Sequence, residues 1–399
     1  MRSGGAIARR IVLASLLALT AGAVVGCASL ERLPAVPAAQ TKQALFLDLP
    51  NARYFIDEAR PTALIAEFKA ASEREFRRRG GASMPPADIL AISGGGDNGA
   101  FGAGLLVGWS ERGTRPSFKG VTGVSTGALI APFAFLGKAY DPALAKLYTG
   151  LTADDIFAKR PFLAALSADA MADTAPLYAM ISSYVTDEMV AEIAGEYDKG
   201  RLLMIGTTDL DAGRPVIWNI GAIAKSRHPL AKESIRKILL ASASIPGLFP
   251  PVMFDIALDG RTFQEMHGDG GATAQTFLYP PTVSLQNFPS RSRRVFIIRN
   301  GKLLQDWSET ERKTLAIAGR AVSTLISSNG VGDMYRIYTT TRRDGVDFNL
   351  ALIEPDFQEP YKGPFDQGYM TTLFEYGRTK AKTGYHWRKV PPGMAVAGN

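Results

Sequence analysis

From Asp88 onward the chain alternates short apolar runs of strand length with longer apolar stretches of helix length, and glycines mark the joins. Ile89-Leu90-Ala91-Ile92-Ser93 is the first short run, entering a turn from Gly94 to Gly99 and then a helix expected over residues 100–111. Residues 118–122 form the second, turning at Gly123 into a helix expected over 126–138, where Pro132 must kink it or fall in its early turns. Strand, glycine turn and helix, repeated, build a sheet covered by helices. Before this stretch, the spacing of Leu64, Ile65, Phe68 and Phe76 predicts a surface helix over 60–79, ending in Arg77-Arg78-Arg79. After it, residues 142–200 read as mostly helical. Strands are expected over 201–209 and 215–220, a helix over 230–243 ahead of Pro246, and a strand over 262–266. Further strands are expected over 294–299 and 348–353 with two helices between them, and a last helix over 366–380. The grammar is that of one α/β domain over 51–390, with a tail over 391–399.

The amino terminus follows a different pattern. Arg2, Arg9 and Arg10 precede an uncharged apolar stretch from Ile11 to Val25, which meets Val24-Val25-Gly26-Cys27. A basic start, a short apolar run and a small residue at the cut form a secretory signal, and the run is shorter than the roughly 18 residues of a membrane span. Val-Val-Gly-Cys resembles the lipobox of bacterial lipoproteins. That resemblance implies a signal peptide over 1–26, lipid on Cys27, a tether over 27–50 and a mature chain of 373 of the 399 residues. Ala28 after the cysteine implies sorting to the outer membrane of a Gram-negative cell, facing the periplasm.

Composition then narrows the chemistry. Cys27 is the only cysteine, so a disulfide, a thiol nucleophile and a cysteine zinc site are all excluded. Three histidines, His228, His267 and His386, leave little for a metal site, and no metal or cofactor is expected. Losing three arginines with the leader takes the net charge from +7 to +4, with no basic stripe to bind nucleic acid. Attachment to a membrane is expected through Cys27.

Three glycine motifs carry candidate chemistry. Gly123-Val124-Ser125-Thr126-Gly127 places a serine on a sharp strand-to-helix turn, with small flanks because a side chain at either glycine would crowd it. Read alone, it is equally a tight turn with a helix-capping serine. Gly94-Gly95-Gly96-Asp97-Asn98-Gly99 offers successive backbone N–H groups at a helix start, suited to a phosphate or to an oxyanion. It also satisfies G-x-G-x-x-G, but the next strand leads into the serine turn rather than an acidic residue, and no Gly-Lys-Ser/Thr follows. Asp269-Gly270-Gly271 places a carboxylate after the strand expected over 262–266; a turn aspartate is its plain reading.

In this order the three motifs, with Ala241-Ser242-Ala243-Ser244-Ile245-Pro246, resemble the patatin-like phospholipase family over roughly 88–275. The resemblance implies a three-layer α/β/α sandwich with a mostly parallel central sheet. It also implies an enzyme that cleaves lipid or phospholipid acyl esters through a Ser–Asp dyad. Carried over, Ser125 is the nucleophile, Asp269 the base, and Gly94, Gly95 and Gly96 the oxyanion donors. Gly99, Gly123, Gly127, Gly270 and Gly271 are the motif glycines. His267, two residues before Asp269, is expected to be structural. The chain departs from the family at Asn98, where many members carry Arg or Lys, and at Gln275 and Phe277, where Asn and Pro are usual. A short-chain esterase or acyltransferase on the same site, and a non-catalytic lipid-binding lipoprotein, are the competing readings.

Overall fold

A computed structural model describes residues 30–160, 168–303 and 309–394. The signal sequence and Cys27 lie outside the described residues. Among those described, nine strands form one sheet. They are β1 (Arg53–Phe55), β2 (Ala87–Ile92), β3 (Gly120–Val124), β6 (Leu202–Asp209), β7 (Arg214–Asn219), β8 (Val252–Leu258), β9 (Arg261–Asp269), β10 (Arg293–Arg299) and β11 (Asp347–Leu352). A separate two-stranded ribbon, β4 (Ala158–Lys159) with β5 (Ala172–Asp173), interrupts the region expected to be mostly helical. The centre of the sheet is parallel: β11, β10, β2, β3 and β6 run side by side, and β7, β1, β9 and β8 add antiparallel pairings.

The apolar runs explain the centre. Every residue of β6 is buried, as a strand covered on both faces requires. One face packs against α2 (Gly99–Glu111), α3 (Thr126–Leu136) and α10 (Gln367–Gly384) in the main core, with Phe101, Phe133 and Leu373 fully covered. The other face packs against α1 (Thr62–Arg78) and α9 (Thr314–Arg343), through Leu64 and Ile337. The remaining helices, α4 (Asp141–Gly150), α5 (Ala175–Tyr184), α6 (Asp187–Asp198), α7 (Ile220–Ser226) and α8 (Ala231–Ser242), complete the first layer. This is the α/β/α sandwich with a mostly parallel sheet that the sequence implied. α3 runs through Pro132 unbroken. Among the described residues no helix is long and apolar enough to cross a membrane.

Three expectations are corrected. One 30-residue helix, α9, replaces the two expected between β10 and β11. Gly330 in its middle is not a break: the helix continues through it, beside the side chains of Arg299 and Gln275. The strand β8 and its hairpin with β9 were not anticipated, although Val252, Phe254, Ile256 and Leu258 alternate inward as a half-covered strand should. The third concerns the tether expected over 27–50, whose described part is docked. Arg32 makes a bidentate ion pair with Asp211 at 2.7 Å, Pro34 O accepts from the Gln264 N–H at 3.0 Å, and Phe46 packs edge-on against Trp218. Leu45 bridges to Ala257 on β8, covering a strand edge that would otherwise be open.

α2 and α10 lie unusually close. A Cβ at Gly104 would stand 2.0 Å from Phe374 O, and one at Gly108 would stand 2.0 Å from Arg378 O. Gly104→Leu is therefore expected to destabilise the protein by about 3 kcal/mol or more, because backbone and not a movable side chain is in the way. Thermal unfolding of the variant checks this.

Candidate active site

The serine turn joins β3 to α3. Ser125 has φ +55° and ψ −128°, a strained conformation for a side-chain-bearing residue. The glycines around it permit the turn. A Cβ at Gly123 would lie 2.4 Å from Gly127 O, and one at Gly127 would lie 2.3 Å from Ile92 O. Two bonds made by Ser242 hold the strained residue: its Oγ accepts from the Ser125 N–H at 3.0 Å and donates to Gly206 O at 2.7 Å.

Sheet register brings Asp269 to the same place. β6 is flanked first by β3 and then, beyond the end of β3, by β9. Val124 pairs with Gly206, and Thr207, the next residue of β6, pairs with Asp269. The carboxylate thus occupies the continuation of β3, beside the turn that carries Ser125. Its backbone is fixed by an N–H bond to Ser244 O at 2.8 Å and by the Thr208 hydroxyl on its carbonyl at 2.9 Å. Sequence reasoning singled out the Ala241–Pro246 stretch without a role for it; its two serines, 242 and 244, hold the backbones of Ser125 and Asp269.

Asp269 is buried, and burial pushes its carboxyl up to about 7 against the counter-effects of the Ser125 hydroxyl and the Gly271 N–H. Oδ1 accepts from Gly271 N–H at 2.6 Å. Oδ2 is buried with no aligned hydrogen bond, and the Ser125 hydroxyl nearby still favours the ionised form. Such looseness is common in a resting site.

The glycine loop closes the site from β2. Gly95 approaches Asn300 so closely that a Cβ would lie 2.0 Å from its carbonyl oxygen, and Gly96 has φ +59°. The Gly94 N–H, expected as an oxyanion donor, is instead spent on Gln275 O at 3.1 Å. The Gly95 and Gly96 N–H groups make no bond within the described protein and stay available. Asn300 was missed by sequence reasoning. Its N–H donates to the Ser93 hydroxyl oxygen at 2.8 Å, its Nδ2 donates to Ser93 O at 2.9 Å and its Oδ1 accepts from the Gly102 N–H at 3.1 Å, stapling the loop to α2. Its signal was faint: a polar residue ending an apolar strand. Asp97 accepts from the Phe365 N–H at 3.0 Å, and burial raises its carboxyl. Asn98 Oδ1 accepts from the Tyr369 hydroxyl at 2.8 Å. Asp97 and Asn98 therefore tie the loop to α10 and the segment before it.

His267 turns away from the dyad. Trp218 Nε1 donates to Thr207 Oγ1 at 2.8 Å, Thr207 Oγ1 and His267 Nδ1 share a hydrogen bond at 2.9 Å, and His267 Nε2 lies 3.3 Å from Glu265 Oε2. Glu265 pairs with buried Arg53. Burial works to raise the Glu265 carboxyl, but the bond from His267 and the Arg53 guanidinium outweigh it and hold it down at about 2. Asp209, Glu265 and His267 are the one group among the described residues that could hold a metal ion. Most of their polar atoms already have partners: Glu265 is paired with Arg53, and Asp209 Oδ1 accepts from the N–H groups of Asp211 and Ala212. The cluster is a buried structural network.

A strained serine on a strand-to-helix turn, a buried carboxylate and open glycine N–H groups at the ends of a parallel sheet define the class. Residues 90–280 match the Patatin family model, described as patatin-like phospholipase. Among solved structures, the crystal structure of VipD from Legionella pneumophila is similar at 11% identity. The match covers 76% of this chain and 68% of that one, with a TM-score of 0.33. No curated protein matches the chain.

Proposed function

We propose that the protein cleaves lipid acyl esters with a Ser125–Asp269 dyad, through an acyl-enzyme. The observation that supports this most is the register of β6, which seats Asp269 directly beyond Val124, the residue before Ser125. Ser125 Oγ attacks the ester carbonyl carbon while its proton passes to Asp269 Oδ2. The Gly95 and Gly96 N–H groups receive the negative charge that develops on the carbonyl oxygen. Asp269 returns the proton to the departing alcohol oxygen as the carbon–oxygen bond breaks, leaving an acyl group on Ser125. Water, deprotonated by Asp269, then attacks that acyl carbon; Asp269 returns the proton to Ser125 Oγ as the carbon–oxygen bond breaks, and the fatty acid leaves.

The amino terminus extends this reading to location. Lipid on Cys27 would hold the enzyme at the outer membrane facing the periplasm, against its substrate, since each buried methylene adds about 0.8 kcal/mol of attachment. Mass spectrometry of the mature amino terminus tests the anchor: an unmodified or uncleaved Cys27 would remove it.

A fluorophosphonate probe tests the dyad. The wild-type protein is expected to gain one covalent adduct on Ser125, and Ser125→Ala none. Absence of labelling in the wild type would return the protein to a lipid-binding role without catalysis.

A further inference from the structure

One cavity of the domain, partly open to solvent, has Phe277 in its lining but neither Ser125 nor Asp269. It measures about 290 Å³ and sits on the sheet face covered by α1 and α9. Leu64, Phe68, Ile89, Met204 and Ile337 are among its walls. Thr273, Ala274, Thr276 and Phe277, which follow the Asp-Gly-Gly turn, form one end. The Phe277 ring rests on Gly206, where a Cβ would meet it at 3.0 Å and Val124 Cγ2 at 3.1 Å. Gly206 pairs with Val124, which precedes Ser125, and Thr207 beside it pairs with Asp269. Phe277 thus belongs to the cavity wall and also touches the strand residues that neighbour Ser125 and Asp269.

The cavity presents carbon. Four of its hydroxyls are spent internally. Thr122 donates to Phe277 O at 2.7 Å, Thr340 to Arg336 O at 2.8 Å and Ser72 to Phe68 O at 3.0 Å, and Thr273 is bonded to Thr208 at 3.0 Å. At the far end Lys119 and Arg291 are both paired with Glu75, so neither is left to seek an anion. A cavity of this kind takes a hydrocarbon and not a headgroup. From Lys119 to Thr122 it follows β3 lengthwise, the direction in which a chain leaving a serine ester at the end of β3 would run back along the sheet.

We infer that this cavity is the acyl-chain chamber of the enzyme, entered past the edge of Phe277. The inference rests on the dyad reading. It assigns the enzyme to long-chain acyl esters, and gives a role to a residue at which the chain departs from its family. Met204→Trp and Ile337→Trp fill the chamber from the sheet and from α9. The test compares p-nitrophenyl butyrate with p-nitrophenyl palmitate on the full chain. In both variants the palmitate-to-butyrate ratio of kcat/KM is expected to fall at least about tenfold. Each methylene denied burial costs about fourfold, so the loss of two suffices. A ratio within about twofold of wild type, in variants that still label at Ser125 with a fluorophosphonate, overturns the chamber and leaves the dyad standing. If neither variant folds, a butyrate-to-palmitate series on the wild type decides: no gain in kcat/KM per added methylene overturns it equally. A wild type that neither labels nor hydrolyses any of the esters overturns the dyad reading and the chamber with it.

Discussion

Replacing Asp269 by Asn is expected to cut ester hydrolysis by about 10³-fold, the scale of a positioned general base, and at the same time to raise the melting temperature above pH 7. The two effects share a cause. Burial pushes the Asp269 carboxyl from its ordinary 3.8 up to about 7. The folded protein therefore holds that proton more tightly than the unfolded chain does. Below about pH 4 both states carry the proton and the site costs nothing. As pH rises from about 4 to about 7 the unfolded state ionises first, and stability falls; above 7 the full cost of a buried charge is present, on the order of a few kcal/mol. An uncharged amide removes that cost, so the stabilisation by Asp269→Asn should be near zero at pH 4 and largest at pH 8. Catalysis runs the other way, because the base must be ionised: wild-type kcat/KM should climb with pH up to about 7 and then level off. Thermal melts at pH 4 and 8, beside a pH–rate profile, check both arms. A variant that keeps wild-type activity, or a rate that declines as pH rises through 7, would contradict the assignment.

Gly127→Ala is expected to damage folding and catalysis together. The added methyl would stand 2.3 Å from Ile92 O and 2.6 Å from Ser93 O, at the end of β2 just before the glycine loop. Both are backbone atoms of the central sheet, so α3 must move instead, carrying Ser125 away from the Gly95 and Gly96 N–H groups. Overpacking of this kind costs about 1–3 kcal/mol, and a displacement of about 1 Å at the reacting atoms costs about 10²-fold in rate. The soluble variant should melt lower and show a reduced kcat. Gly195→Ala is the matched control: Gly195 lies inside α6 with nothing within 4 Å of the added atom. It should stabilise the protein by about 0.4–1 kcal/mol and leave the rate alone. Equal behaviour of the two variants would mean that the close packing at Gly127 is not what holds the serine turn.

The serine turn was legible because its neighbours are dictated by backbone geometry. Gly123 and Gly127 must lack side chains for the turn to exist, and that need leaves a spaced trace in the sequence. The central strands were legible for a similar reason: a strand buried on both faces, such as β6, is a continuous apolar run. The fact that joins Ser125 to Asp269 left no trace. It is the register of β6, one residue against Val124 and the next against Asp269 from opposite directions, and register is a property of pairs. Ser242 and Asn300 were illegible in the same way, since a serine or asparagine that bonds a distant backbone looks like any other. Gly94 shows the reverse limit. Its motif marked it as an oxyanion donor, yet its N–H is taken by Gln275 O, an assignment made by a loop far along the chain. The single helix α9 and the docked segment after residue 30 were misread because contacts, and not local preference, decide them.

The docking of that segment changes what a lipid on Cys27 would do mechanically. Five residues, 27–31, would separate the anchor from Arg32, which is clamped to Asp211. At about 3.5 Å each they reach under about 20 Å. From Gln264, beside the clamp, to Asp269 is a further five residues of β9, about 17 Å. The enzyme would then be mounted rather than leashed: its nucleophile would work within about 40 Å of the leaflet that holds it. An enzyme so mounted surveys the lipids around its own anchor.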